Sequence, residues 1–458
     1  MARKREQTRE HWGSRLGFIL AAAGSAIGLG SMWKFPYVTG QNGGGAFVLL
    51  YLFSTIFVCV PLFIAELVMG RAAQKGPVLA FDKLTRHSAN WRAVGWLALI
   101  STVIVFSYYA VVAGWTLNYV LLSLSQFTAG KSPEQIRGVF TTLVGSGGVT
   151  LFWQALFLLI TAGVVYAGVR QGVERWSKIL MPVLLVLLVA LFIYATTLPG
   201  FGKAVRFMLY PDFSRLTPAG VLSALGLSFF TASLGFGIIL TYGSYLRPGD
   251  NVISTSIIVL VVTAGIALIA GLTIFPIVFT YGGEPGSGTG LVFQTLPVLF
   301  ARLPAALLLS TVFFALFVFT ALTSTISLLE NMIANSIELF GWRRHRAAWI
   351  SIGIVFFIGI PSGLAGSGWL FSNWQEMYGK DFLDTISSLW DRWFLPLTGL
   401  LTSIFVGWRM DKLTRNREFL SGSNWRWALP IWLFLVKWFV PIAILLFLLD
   451  ATGLVKIA

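Results

Sequence analysis

Charge is scarce in this chain: 33 Lys plus Arg and 18 Asp plus Glu make up 11% of 458 residues, where a soluble domain carries roughly 25%. One soluble core could not hide the remainder, because 56% of the residues are hydrophobic and apolar runs recur along the whole length. A single cysteine, Cys59, excludes an internal disulfide framework, and three scattered histidines, His11, His87 and His345, exclude an obvious zinc site. There is no Asn-x-Ser/Thr sequon, and the longest stretch between apolar runs, about 126 to 147, is too short for a soluble domain. The first eleven residues read as a short basic tail, so no cleavable signal peptide is expected. No Ser/His/Asp, Cys/His or metal constellation falls within the apolar runs, so no enzyme is expected. What is present is the composition of an integral membrane protein. The surplus of +15 then reads as membrane topology, and no nucleic-acid partner is expected.

A spanning helix takes roughly 20 mainly apolar residues. Eleven runs qualify, at about 14 to 39, 44 to 70, 93 to 125, 148 to 168, 177 to 198, 216 to 246, 252 to 281, 304 to 340, 347 to 366, 382 to 408 and 427 to 449. The predicted fold is an all-α polytopic membrane protein in the lipid bilayer. Roughly two thirds of the 33 basic residues fall on the inner side if the N-terminus is cytoplasmic. The odd count of spans puts the C-terminus outside. Trp12, Trp91, Trp96, Trp176, Trp342 and Trp425 lie near span ends, where an aromatic belt anchors a protein to the interface.

Glycine interrupts two of these runs. Gly24, Gly28 and Gly30 crowd the middle of the first span beside Ser25 and Ser31, and Ser233, Gly235 and Gly237 sit in the middle of the sixth. Each interior glycine costs a helix roughly 1 kcal/mol relative to alanine, so both places invite unwinding. Gly24 and Gly28 also form a GxxxG pair, which close helix packing would explain equally. Interruptions five spans apart are what an inverted repeat of spans 1 to 5 and 6 to 10 produces, with span 11 appended, and they point to a mid-membrane site. The repeats would cover about 9–198 and 215–408 of a single domain 1–458, with the extra span at 427–449. Exposed carbonyls at such breaks suit Na⁺, and exposed amides suit a carboxylate.

Ionisable residues within the spans are Lys34, Glu66, Glu330, Asp384, Asp391, Arg392 and Lys437, each expensive enough in lipid to be a functional candidate. Lys34 and Asp384 are expected to pair at an outer vestibule, and Arg9 and Glu338 on the inner side. Glu66 is expected to brace unwound backbone.

The chain resembles the neurotransmitter:sodium symporters, in particular short bacterial members with eleven spans such as the leucine and hydrophobic amino acid transporters. The resemblance runs from about residue 9 to 408 and is carried by REHWGSRLGFILAAAGSAIGLG (9 to 30), WKFPY (33 to 37), NGGGAF (42 to 47), ELVMGR (66 to 71), SYYAVVAGWTL (107 to 117), SFFTASLGFG (228 to 237), TYGSYL (241 to 246) and ALTSTIS (321 to 327). It implies a sodium-coupled symporter of neutral, hydrophobic amino acids working by alternating access in the plasma membrane, as a monomer or weak homodimer. The implied substrate site is Ser25, Gly28, Leu29, Gly30, Val105, Tyr109, Phe230, Ser233, Phe236, Ser324 and Leu328, with the Leu29 and Gly30 amides and the Tyr109 hydroxyl holding a carboxylate. Gly28 stands where amine-selective relatives carry aspartate, which favours an amino acid. Phe236 and Tyr109 resemble the lid, Lys34 and Asp384 the outer gate, and Arg9, Ser244, Tyr245 and Glu338 the inner gate. The second sodium site of the family falls on carbonyls of span 1 and hydroxyls of span 8, here Gly24, Ile27, Thr320, Thr323 and Ser324.

Departures from the family pattern are as informative. The first sodium site falls on Ala26, Ser31, Thr231 and Thr263, with hydroxyls where asparagine amides are usual, which leaves one-sodium coupling open. Lys34 replaces an arginine and cannot form a bidentate fork. Leu227 and Ala267 occupy the places of chloride ligands, so no chloride requirement is expected. Two rival readings stand: a proton-coupled transporter on the same fold with Asp391 as carrier, and a sensor or channel-like protein that binds an amino acid without moving it.

Overall fold

In lipid every backbone polar group has to be satisfied within the protein, so apolar runs of this length become helices. The computed structural model describes residues 10–283 and 290–452, and among them there are helices and no strand. We label α1 Arg15–Ala26, α2 Gly30–Gln41, α3 Gly45–Ala73, α4 Ala89–Leu124, α5 Gly147–Val165, α6 Val169–Thr196, α7 Pro218–Thr231 and α8 Ile238–Gly243. The chain continues through α9 Val252–Thr280, α10 Ala306–Phe340, α11 Arg344–Gly363, α12 Phe382–Leu389, α13 Leu395–Ile404, α14 Lys412–Leu420 and α15 Ala428–Ala451. Eight of the described helices are long and apolar enough to cross a membrane, or nine if α1 and α2 make one bent span. The sixth and tenth predicted runs are each divided between shorter helices, α7 and α8, and α12 and α13.

Polar side chains set several starts. The hydroxyls of Ser14 and Thr217 accept the amides of Gly17 and Gly220, and Asn251 accepts that of Ser254, capping α1, α7 and α9. The divisions have equally local causes. α1 ends where Ile27 leaves the helical region at φ −86°, ψ 72°, and α2 resumes at a bend of 49°. Between α7 and α8, Ser233, Gly235 and Gly237 all take positive φ. At Gly235, with φ +82°, a Cβ would sit 2.5 Å from the Leu395 carbonyl oxygen, so only glycine fits. α12 enters α13 through a π-helical turn, Trp390–Phe394, which rotates the side chains that follow.

α1 lies among α6, α9 and α10, while α10 runs along α4 and α8 packs on α3. Both breaks therefore face α4 and α10. Large apolar side chains such as Phe152, Val186, Ile193, Val261 and Phe357 are exposed on the perimeter, as a lipid-facing surface requires. Trp96, Trp176 and Trp425 are among the exposed aromatics, but Trp12, expected in the same belt, is buried. Its indole N–H donates to the Tyr242 carbonyl at 3.0 Å, fixing the segment before α1 to the end of α8.

Candidate functional site

Where α1 stops, its free backbone groups are met by side chains from three other elements. The Leu29 N–H donates to the Tyr109 hydroxyl of α4 at 2.9 Å. The Ser25 carbonyl accepts from Ser233 at 2.9 Å and from Ser324 of α10 at 3.1 Å, and the Gly24 carbonyl lies 3.4 Å from the same Ser324 hydroxyl. These groups border a cavity of about 30 Å³ whose remaining wall is apolar, from Val105, Phe230, Phe236, Ile238 and Leu328. Ser25, Gly28, Gly30, Tyr109, Ser233 and Ser324 complete the expected set around it. Leu29 instead lines a second space farther out, reaching the site through its amide. Ile238 was missed because it opens α8 just beyond the break, where no periodicity could position it.

Gly28 is a point of close approach. A Cβ there would lie 2.5 Å from the Ser324 hydroxyl and 2.9 Å from that of Tyr109. The site thus combines backbone amide and hydroxyl groups at one end with an apolar chamber at the other, a pairing suited to a small zwitterion with a hydrophobic side chain.

Ala26 also lines the cavity, and the two candidate sodium sites flank it with different donor chemistry. Gly24, Ile27, Thr320, Thr323 and Ser324 bring together span-end carbonyls and α10 oxygens, all buried, which is a hard-cation set. One detail departs from expectation: the Thr320 hydroxyl donates back to the Leu316 carbonyl at 2.7 Å, so its own carbonyl, which accepts from Thr323 at 2.9 Å, is the oxygen it offers. In the other set, Ser31 lies 3.4 Å from the Ala26 carbonyl, Thr263 donates to Val259 at 2.8 Å, and Thr231 shares a 2.9 Å hydrogen bond with Tyr51. Its side-chain oxygens are engaged with protein, and no amide or carboxylate supplements them. Leu227 and Ala267 lie in an apolar cluster with Tyr51, Phe35 and Phe47.

Glu66 is buried on α3, and its carboxylate accepts the Gly235 N–H at 3.1 Å, holding the connector between α7 and α8.

The outer side differs from the expected pairing. Lys34 forms its ion pair with Asp391, not with Asp384. The π-helical turn at 390–394 brings Asp391 toward α2, whereas Asp384 lies two turns outward on α12. The Lys34 ammonium sits 4.7 Å from the centre of the Phe230 ring. Phe230 and Tyr109 line both the cavity and the space outside it, while Phe236 lines the cavity alone, so the lid position expected of Phe236 falls to Phe230. Beyond them opens a vestibule of about 390 Å³ lined by Lys34, Asp384, Asp391 and Arg392. Lys437 lies elsewhere, its ammonium 5.5 Å from the Trp408 ring.

On the inner side Arg9 lies outside the described residues. Glu338 accepts the Gly76 N–H at 2.9 Å, and Ser244 donates back to Thr241 at 2.5 Å. Tyr245 donates to Glu330 at 2.7 Å, Glu330 is ion-paired with Arg344, and Arg344 lies 3.5 Å from Glu10. The Tyr245 carbonyl accepts the Trp12 N–H at 3.3 Å. Glu174 accepts the Gly13 amide at 2.6 Å and the Ser14 hydroxyl at 2.8 Å. The Glu330–Arg344 pair and the Glu174 clamp were not anticipated. The signal was in hand for Glu330, since an acid within a span needs a partner, but Arg344 read as part of a cytoplasmic basic run.

Comparison with known proteins fits this geometry. Residues 9–135 and 135–390 match the sodium:neurotransmitter symporter family. The chain is 37% identical over 452 residues to YhdH, an uncharacterized sodium-dependent transporter of Bacillus subtilis (strain 168), covering 98% of this chain and 99% of that one. It is 25% identical over 515 residues to the mouse (Mus musculus) sodium- and chloride-dependent GABA transporter 2, covering 92% and 84%. Its fold is similar to that of MhsT in a crystal structure with L-phenylalanine, at TM-score 0.89 and 38% identity, covering 97% of this chain and 100% of that one. The chain belongs to the sodium:neurotransmitter symporter family of membrane transporters.

Proposed function

We propose that this protein is a sodium-coupled symporter of neutral, hydrophobic amino acids that works by alternating access in the plasma membrane. The observation that carries the reading is the juxtaposition of the Leu29 amide and Tyr109 hydroxyl with an apolar chamber formed by Val105, Phe230, Phe236 and Leu328. The MhsT complex with L-phenylalanine supports the same class of substrate. In this reading the protein has eleven spans, repeats at about 9–198 and 215–408 related by inversion, and an appended span at about 427–449, with the N-terminus cytoplasmic and the C-terminus outside.

When bound, Na⁺ supplies positive charge beside the substrate carboxylate and a driving force for accumulation. Gly24, Ile27, Thr320, Thr323 and Ser324 are the residues that would hold it. One Na⁺ at 100 mV and a tenfold gradient provides ~2.3 plus ~1.4 kcal/mol, enough for roughly a 500-fold substrate gradient. We favour a single coupling ion, because the hydroxyls of Ser31, Thr231 and Thr263 are engaged with protein. The apolar surroundings of Leu227 and Ala267 argue against chloride.

The test is equilibrium binding of an amino-acid panel in Na⁺ against K⁺, with chloride and then gluconate as the anion. We expect Na⁺-dependent binding of hydrophobic amino acids that is unchanged in gluconate, and at least a tenfold higher Na⁺ requirement in Thr323→Ala. Equal binding in K⁺ would defeat the reading, and uptake driven by a pH gradient without Na⁺ would favour proton coupling.

A further inference from the structure

The outer pathway carries two carboxylates on one helical run, and Lys34 is paired with the inner of them. Asp384 stands in the first turn of α12 and Asp391 in the π-helical turn seven residues on, about 10 Å farther along a helix axis. Both line the same vestibule as Lys34. A lysine stem reaches about 6 Å, so Lys34 cannot hold both carboxylates from one backbone position.

The inner pairing is built into the roof of the cavity. Lys34 lies over the Phe230 ring, which lines the cavity below and the space outside. The other Asp391 oxygen is 3.4 Å from the Tyr108 hydroxyl, and the next residue of α4, Tyr109, receives the Leu29 amide. Tyr108 and Tyr109 therefore join the ion pair and the cavity through adjacent residues of one rigid helix. The Lys34 and Asp391 side chains are only 25% and 12% exposed, where a charge-assisted hydrogen bond is stronger than at an open surface.

We propose that Lys34 and Asp391 are the lock that holds the outer side closed, with Tyr108 positioning the carboxylate and Phe230 trapped beneath the ammonium. Asp384 is the second station, which Lys34 takes when the vestibule opens. This rests on the transport reading above only in supposing that the cavity opens outward. Both aspartates are positioning residues that act through Lys34 and Phe230.

The experiment reads exposure, not transport. The full chain in nanodiscs carries Val105→Cys as a reporter within the cavity, and the single native cysteine, Cys59, is buried and can stay. The rate of labelling by a charged methanethiosulfonate reagent is measured without amino acid. Asp391→Asn is expected to speed labelling about tenfold, and Lys34→Gln, which breaks the pair from the other side, to do the same. Asp384→Asn is expected to label no faster than the parent, because it removes the open station only. The exchanged pair Lys34→Asp/Asp391→Lys is expected to return the rate to within about twofold of the parent, which loss of fold could not do. The proposal is overturned if neither Asp391→Asn nor Lys34→Gln speeds labelling, if Asp384→Asn speeds it, or if the exchanged pair labels as fast as the single variants. These outcomes are independent of whether an amino acid binds with Na⁺, so a failed substrate assignment and a failed lock are told apart.

Discussion

The hydroxyl of Tyr109 accepts the amide of Leu29 at 2.9 Å, tying a long, continuous helix to the point where its neighbour breaks. A free amide at this depth would otherwise be unsatisfied. The same hydroxyl can donate onward to an anionic group, so it serves the broken backbone and a bound carboxylate together.

Tyr109→Phe removes that hydroxyl and little else. A hydrogen bond to a charged group contributes about 1.5 to 3 kcal/mol, so amino-acid affinity should fall by about one to two orders of magnitude. Equilibrium binding measures the loss, and an unchanged affinity would remove the hydroxyl from the substrate site.

Gly28→Ala places a methyl group 2.5 Å from Ser324 and 2.9 Å from Tyr109. One hydroxyl or the other has to move, and both take part in the cavity. The variant should lose amino-acid binding by at least about tenfold while its thermal unfolding stays close to the parent, because the displaced atoms are side-chain ends. Binding at parental affinity would mean that the site tolerates a side chain here and that the case for a carboxylate beside Gly28 fails.

Glu330 is fully buried and ion-paired with Arg344. Removing one partner of a buried pair leaves an uncompensated charge and costs about 3 to 5 kcal/mol, whereas removing both costs less. Glu330→Gln and Arg344→Gln should each lower thermal stability markedly, and the double variant should lie above either single one. Additive losses in this cycle would show that the two side chains act independently.

Much of the architecture was legible in the sequence because lipid imposes a simple rule on it. Long apolar runs must be helices, and interior glycines mark where those helices fail, so the breaks after Ala26 and Thr231 could be located without coordinates. Gly28, Ser233 and Ser324 were likewise identifiable as cavity residues because they sit at fixed positions relative to the breaks and to α10. The residues that surprised are those whose partner depends on rotation about a helix axis. Asp391 was read as an unassigned charge because a regular helix gives no reason to prefer it over Asp384. The π-helical turn at Trp390–Phe394 supplies one.

Sequence by itself determined that the protein lives in a membrane, that its charges are too few to be incidental, and which family it resembles, since each follows from composition or from local order along the chain. Only the tertiary structure decided who pairs with whom: Lys34 with Asp391, Glu330 with Arg344, Glu66 with the Gly235 amide, and Phe230 beneath the lysine. The physical reason is that an ion pair or hydrogen bond is fixed by distances of a few ångströms between elements far apart in sequence. Those distances are set by how the broken and continuous helices pack, not by the spacing of residues along any one of them.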